Sequence, residues 1–110
     1  MAKLEYTVKA NFGQLLTKIE NGILEGSLSA SLEEQSDFRS GDARCSVRVF
    51  ERYSYFGGNR VSLNVTLFQN ADEPIRISAI ATGGSQAVFF KVNTIGDEAF
   101  LDKLREVLEM

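Results

Sequence analysis

An α+β fold is what the sequence predicts: an antiparallel β-sheet of five to six strands with two helices packed on one face, in the order β-α-β-β-β-β-β-α. Three observations point there. Apolar residues recur at helical spacing near both ends of the chain, alternate in the middle, and are punctuated by glycine-rich turns that join the alternating runs into hairpins. At 110 residues, without a repeat or linker, the chain reads as a single α+β domain over residues 1–110.

The first strand lies in Glu5 to Lys9, where Tyr6 and Val8 alternate with polar residues. Asn11 offers a helix N-cap with Gln14 three residues later, and Phe12, Leu15, Leu16, Ile19 and Ile23 share one face of the helix that follows. That helix ends near Gly22 or Gly26. Ser27 to Leu32 places Leu28, Ala30 and Leu32 on one side of a second strand, and Glu33 to Gly41 reads as an acidic loop.

Paired strands must present their apolar residues to the same side, so loop length can be tested against alternation. In Ala43 to Tyr55 the odd positions Cys45, Val47, Val49, Tyr53 and Tyr55 are apolar, and in Arg60 to Phe68 they are Val61, Leu63, Val65 and Leu67. A three-residue loop at Gly57 to Asn59, with one residue at positive φ, brings these sets into phase and sets Tyr53 opposite Leu63. The turn around Asn70 to Asp72 pairs Leu67 with Ile75 and Val65 with Ile77. A two-residue turn at Gly83-Gly84 sets Ala79 opposite Val88 and Ile77 opposite Phe90, which continues the buried face into a sixth strand through Val92. Thr94 or Asp97 then caps a helix whose stripe is Phe100, Leu101, Leu104, Val107 and Leu108. Both helices are expected on the odd-numbered face of the central strands.

Composition narrows the function. The net charge of -3 argues against a duplex-binding protein, which needs a concentrated basic surface. The charge is uneven, however: all six cations from Arg39 to Arg76 are arginines, against four acids, while five acids face two bases from Asp97 onward. A single cysteine rules out an intrachain disulfide, and neither a signal-peptide core nor a membrane-length apolar run occurs, so a cytoplasmic location is expected. Asn64-Val65-Thr66 matches a glycosylation acceptor but reads as strand. The absence of histidine removes the commonest general base and transition-metal ligand, and with it serine-histidine and cysteine-histidine hydrolysis.

The stretch Ala43-Arg44-Cys45-Ser46-Val47-Arg48-Val49 with Glu51-Arg52-Tyr53-Ser54-Tyr55, the Gly57-Gly58-Asn59-Arg60-Val61 turn, Gly83-Gly84-Ser85-Gln86-Ala87 and Gly96-Asp97-Glu98-Ala99-Phe100-Leu101 together resemble a family of short, uncharacterised bacterial proteins, defined only as a domain of unknown function. The resemblance covers nearly the whole chain and implies a bacterial, cytoplasmic origin, with no activity, substrate or site to carry over. The element order is also loosely similar to a shortened helix-grip fold, whose larger members hold apolar ligands between sheet and helix. Fold of itself assigns no function.

No catalytic, cofactor or metal residues are assigned. Cys45, at core parity, reads as a buried inert thiol rather than a nucleophile. Thr82-Gly83-Gly84-Ser85-Gln86 reads as a hairpin rather than a phosphate loop, because a strand follows it where a helix would be needed. Glu33, Glu34, Asp37 and Asp42 lack calcium-loop spacing and read as solvated. Glu51 falls at apolar parity opposite Val65; either it finds a donor such as Tyr53, Tyr55 or an arginine, or stays protonated, or a bulge turns it to solvent.

Two groupings remain as functional candidates. The second sheet face, away from the helices, collects Arg44, Arg48, Phe50, Arg52, Phe68, Arg76, Ile80 and Phe89, with Arg48 opposite Phe68 at cation–π range, and such a mixture suits a protein interface. The expectation that follows is a non-enzymatic interaction or regulatory domain that self-associates as a homodimer through this face; single-stranded nucleic acid is a less favoured occupant. The alternative is a small apolar ligand held between sheet and helices by Phe12, Tyr53, Phe90 and Phe100, with Glu51 as polar anchor. An enzyme ranks third, with Glu51 and Tyr53 as its acid and base.

Overall fold

In the computed structural model, which describes residues 2–26, 29–53, 60–83 and 101–109, the chain runs β1 (Ala2–Val8), α1 (Phe12–Gly26), β2 (Ser31–Ser40), β3 (Ala43–Tyr53), β4 (Arg60–Asn70) and β5 (Ile75–Gly83). A closing helix, α2, occupies 101–108. The five strands form one antiparallel open sheet in the order β1-β5-β4-β3-β2, so β1 returns beside β5 while the other four make a meander. The expected sixth strand, the Gly57–Asn59 loop, Tyr55, Gly84 and the Thr94 or Asp97 cap lie outside the described residues.

Helix α1 begins where its cap dictates. The Asn11 side-chain oxygen accepts from the Gln14 amide at 2.9 Å, and the Asn11 carbonyl accepts from the Leu15 amide at 2.9 Å. Phe12, Leu15, Leu16, Ile19 and Ile23 are buried, as their spacing predicts. They pack with Leu101, Leu104, Val107 and Leu108 of α2 and with Val61, Leu63, Val65, Leu67, Ile75, Ile77, Ala79 and Ala81 in one core, so both helices cover the same sheet face.

The two helices meet at a glycine. A Cβ at Gly22 would overlap the Val107 side chain, so the absence of a side chain there sets how closely α1 and α2 approach. Gly22→Val is expected to cost about 1–3 kcal/mol through overpacking. Val107→Ala should recover part of that loss, as measured by urea denaturation of the two single variants and the double.

The β4–β5 alternation follows the expected phase but not the expected register: Leu67 pairs with Ile77 and Val65 with Ala79, two residues further along β5 than predicted. The longer connection uses Ala71 at φ 54°, with its amide donating to the Asp42 carbonyl at 2.9 Å, so this turn is tied to the neighbouring β2–β3 turn. An even-numbered shift leaves every side chain on its face.

The β3–β4 register differs by an odd number, and that inverts a whole strand. Tyr53 pairs with Arg60, Phe50 with Leu63, Arg48 with Val65 and Ser46 with Leu67. Ser46, Arg48 and Phe50 are therefore buried against the helices, while Cys45, Val47 and Val49 turn to the other face and are half-buried. Local alternation favours the opposite choice, because three apolar residues stand at the odd positions and arginines at the even ones. The observed choice places the Phe50 ring in the core, and other segments of the chain supply the groups that neutralise Arg48.

The predicted acidic loop is instead strand β2. It pairs with β3 from Ser31↔Glu51 to Ser40↔Ala43, with a bulge between Leu32 and Glu34. Gly41, at φ 57°, makes the two-residue turn into β3. Every residue from Glu33 to Ser40 is exposed, so no apolar periodicity announces the strand; its backbone ladder defines it. Charged residues on such a strand also discourage uncontrolled edge pairing.

Candidate functional site

Inversion of β3 redistributes the residues of the candidate interface between two surfaces. Arg44, Arg48, Phe50 and Arg52 lie on the helix-covered side, Phe68, Arg76 and Ile80 lie on the uncovered side, and Phe89 is outside the described residues. Arg48 is not opposite Phe68; Cys45 is. On the covered side Arg44 makes a cation–π contact with Phe12, its guanidinium carbon 3.9 Å from the ring centroid.

On the covered side, Arg48 is only 5% exposed. Its Nε donates to Glu20 of α1 at 2.6 Å, and one terminal nitrogen donates to Asp37 of β2 at 3.1 Å and to the Val47 carbonyl at 3.0 Å. Ser46 donates to the same Asp37 oxygen at 2.6 Å. The Ser46 hydrogen bond is the main reason the Asp37 carboxyl lies below its ordinary pKa; partial burial opposes it and Arg48 reinforces it. Burial disfavours charge on Arg48, yet Glu20 and Asp37 together hold its guanidinium above the ordinary value. Burial lowers the pKa of Arg52. Three elements, α1, β2 and β3, thus share one ionic knot.

The uncovered side is more apolar than the sequence suggests, because β3 contributes Cys45, Val47 and Val49 to it. Phe38, Cys45, Phe68, Arg76 and Thr7 form one row across β2, β3, β4, β5 and β1. Phe38 is 59% exposed, Phe68 40% and Ile80 39%. Beside Phe68 is a shallow depression of about 580 Å³, with Arg76, Glu5, Thr7, Thr66 and Ser78 around it. Among the described residues no element crosses this face.

The described residues of the candidate pocket are divided between the two faces of the sheet. Phe12 belongs to the core, whereas Glu51 and Tyr53 lie on the opposite side of the sheet, and Phe90 and Phe100 are outside the described residues. Glu51, expected at core parity, instead accepts from Arg60 Nε at 2.7 Å in a half-exposed pair opposite Ser62. The strand's register, not a bulge, turns it outward. Arg60 also lies over the exposed Tyr53 ring at 5.3 Å and 3.9 Å from Glu33. This contact with Glu51 raises the Arg60 pKa.

Cys45 is half-buried on the uncovered face rather than sealed in the core. Of the acidic residues proposed as solvated, Asp37 carries the unexpected role. Among the described residues no three cysteine, aspartate or glutamate side chains come together in a way that could hold a metal ion. No described helix is long and apolar enough to cross a membrane. Sequence reasoning missed Glu20 and Asp37; the one available signal was that a buried strand arginine needs acids, and Glu20 sits on the flank of the apolar stripe of α1.

Compared with known proteins, residues 1–110 match a family described only as being of unknown function, DUF6054. No curated protein matches the chain. Neither does any solved structure.

Proposed function

The chain belongs to this family of unknown function, which brings no activity with it, and we propose that it is a non-enzymatic interaction domain that self-associates through the uncovered face of its sheet. The observation that carries this reading is the line Phe38, Cys45, Phe68 across three adjacent strands, with both rings substantially exposed. Val47, Val49 and Ile80 widen the patch. An apolar area rimmed by arginine and other polar groups is the composition that interface centres favour.

A second copy suits the face because the rim carries both signs. Lys3 and Arg76 stand on the same side as Glu5 and Glu34, so two copies related by a two-fold axis can set acids against bases while the rings meet at the centre. The depression beside Phe68 would accept a partner's ring in the same contact.

Phe38→Ser and Phe68→Ser each remove an aromatic anchor, which is expected to weaken association by about tenfold or more per ring. Light scattering across a concentration series reads this directly as a lower average mass in the double variant. A monomer mass for parent and variant alike at high concentration overturns the reading. So does a dimer whose mass survives both substitutions.

A further inference from the structure

We infer that the stretch of β2 from Glu34 to Ser40 is a releasable strap, clasped to the sheet by Asp37 and able to open while the rest of the domain stays folded. The inference does not depend on self-association.

The strap has a hinge, a clasp and little else. Its near end is the bulge at Glu33; before the bulge Ala30 and Leu32 pack against the core, and after it every residue is exposed. Its far end is the turn at Gly41 and Asp42, which stays anchored to the β4–β5 turn because the Ala71 amide donates to the Asp42 carbonyl at 2.9 Å. Between these points little apolar surface is buried, so the segment is attached by its backbone ladder to β3, by Asp37, which accepts from Ser46 and Arg48, and by a long donation from Arg48 to the Ser36 carbonyl at 3.5 Å. Strand segments with few buried apolar contacts open below the free energy of global unfolding.

The Arg48 arrangement permits this. A buried guanidinium with a single acid would be stranded when that acid departs, at a cost that would tie the strap to the whole fold. Here Arg48 keeps Glu20, which comes from α1 and stays with the core when β2 leaves. Splitting the counter-charge between two elements uncouples the edge strand from the interior. Opening bares the edge of β3 and the Ser46 hydroxyl.

Hydrogen exchange of the full chain in a low-denaturant series tests the inference. Amides of residues 34–40 that bond to β3 should exchange faster than those of β4 and β5, with little denaturant dependence. Asp37→Asn should speed strap exchange by about tenfold, the value of one charged hydrogen bond, while Arg39→Ala on the same strand should leave it unchanged. Glu20→Gln is the discriminating variant, since Glu20 serves the closed and opened forms alike. It should accelerate β4 and β5 by at least about tenfold without accelerating the strap. Equal protection and equal denaturant slopes in β2, β4 and β5, with both acid variants accelerating all three strands together, would overturn the inference and make the sheet one cooperative unit.

Discussion

Phe50→Ala is expected to cost about 4 kcal/mol, whereas Val49→Ala beside it should cost less than about 1 kcal/mol. The contrast follows from register alone. Phe50 is fully buried opposite Leu63 beneath the helices, and truncating it leaves a ring-sized void that neighbouring side chains fill only in part. Val49 faces the uncovered side opposite Asn64, where its methyl groups are half in solvent. Urea denaturation should show the midpoint falling sharply for Phe50→Ala with the slope unchanged. A larger loss for Val49→Ala than for Phe50→Ala would return β3 to the phase that its alternation suggests, and would undo both the apolar face and the buried Arg48.

That strand marks the boundary between what is legible in the sequence and what is not. Helix α1 can be read in full, because its cap and its stripe are local properties: Asn11 reaches the amide three residues on, and Ile19 and Ile23 follow Phe12, Leu15 and Leu16 at helical spacing. Strands β4 and β5 can also be read, since all their apolar residues except Phe68 and Ile80 occupy one parity. In β3 both parities carry apolar residues, and the decision passes to groups far along the chain. Glu20, 28 residues away, makes burial of Arg48 tolerable, and Phe50 has more apolar surface to bury than either valine. β2 is invisible for a different reason. From Glu33 onward its residues are exposed on both sides, so only pairing with β3 makes it a strand. The candidate interface was thus half legible, with Phe68, Arg76 and Ile80 correctly on the open side, but Cys45, Val47, Val49 and Phe38 could join them only once β3 had turned over and β2 had formed.

Glu20→Ala should cost about 3 kcal/mol, and adding Arg48→Met to it should return stability to within about 1 kcal/mol of the parent. Glu20 and Asp37 both hold Arg48, but not equally. Asp37 has a side chain 53% exposed, so water screens its attraction, whereas the Glu20 side chain is 26% exposed and meets Nε at 2.6 Å. Loss of Glu20 therefore leaves a guanidinium in an apolar layer beside Val65 and Phe50 with only its weaker partner. For a domain of this size that loss corresponds to a melting-temperature drop on the order of 15 °C. Methionine at position 48 needs no counter-charge and fills similar space, which is why the double variant should be more stable than Glu20→Ala alone. The double-mutant cycle isolates the coupling, expected at about 2–3 kcal/mol between these two side chains. Additive effects, or a negligible cost for Glu20→Ala, would mean that the guanidinium is solvated from the helix side, and the divided counter-charge that lets the edge strand open would lose its foundation.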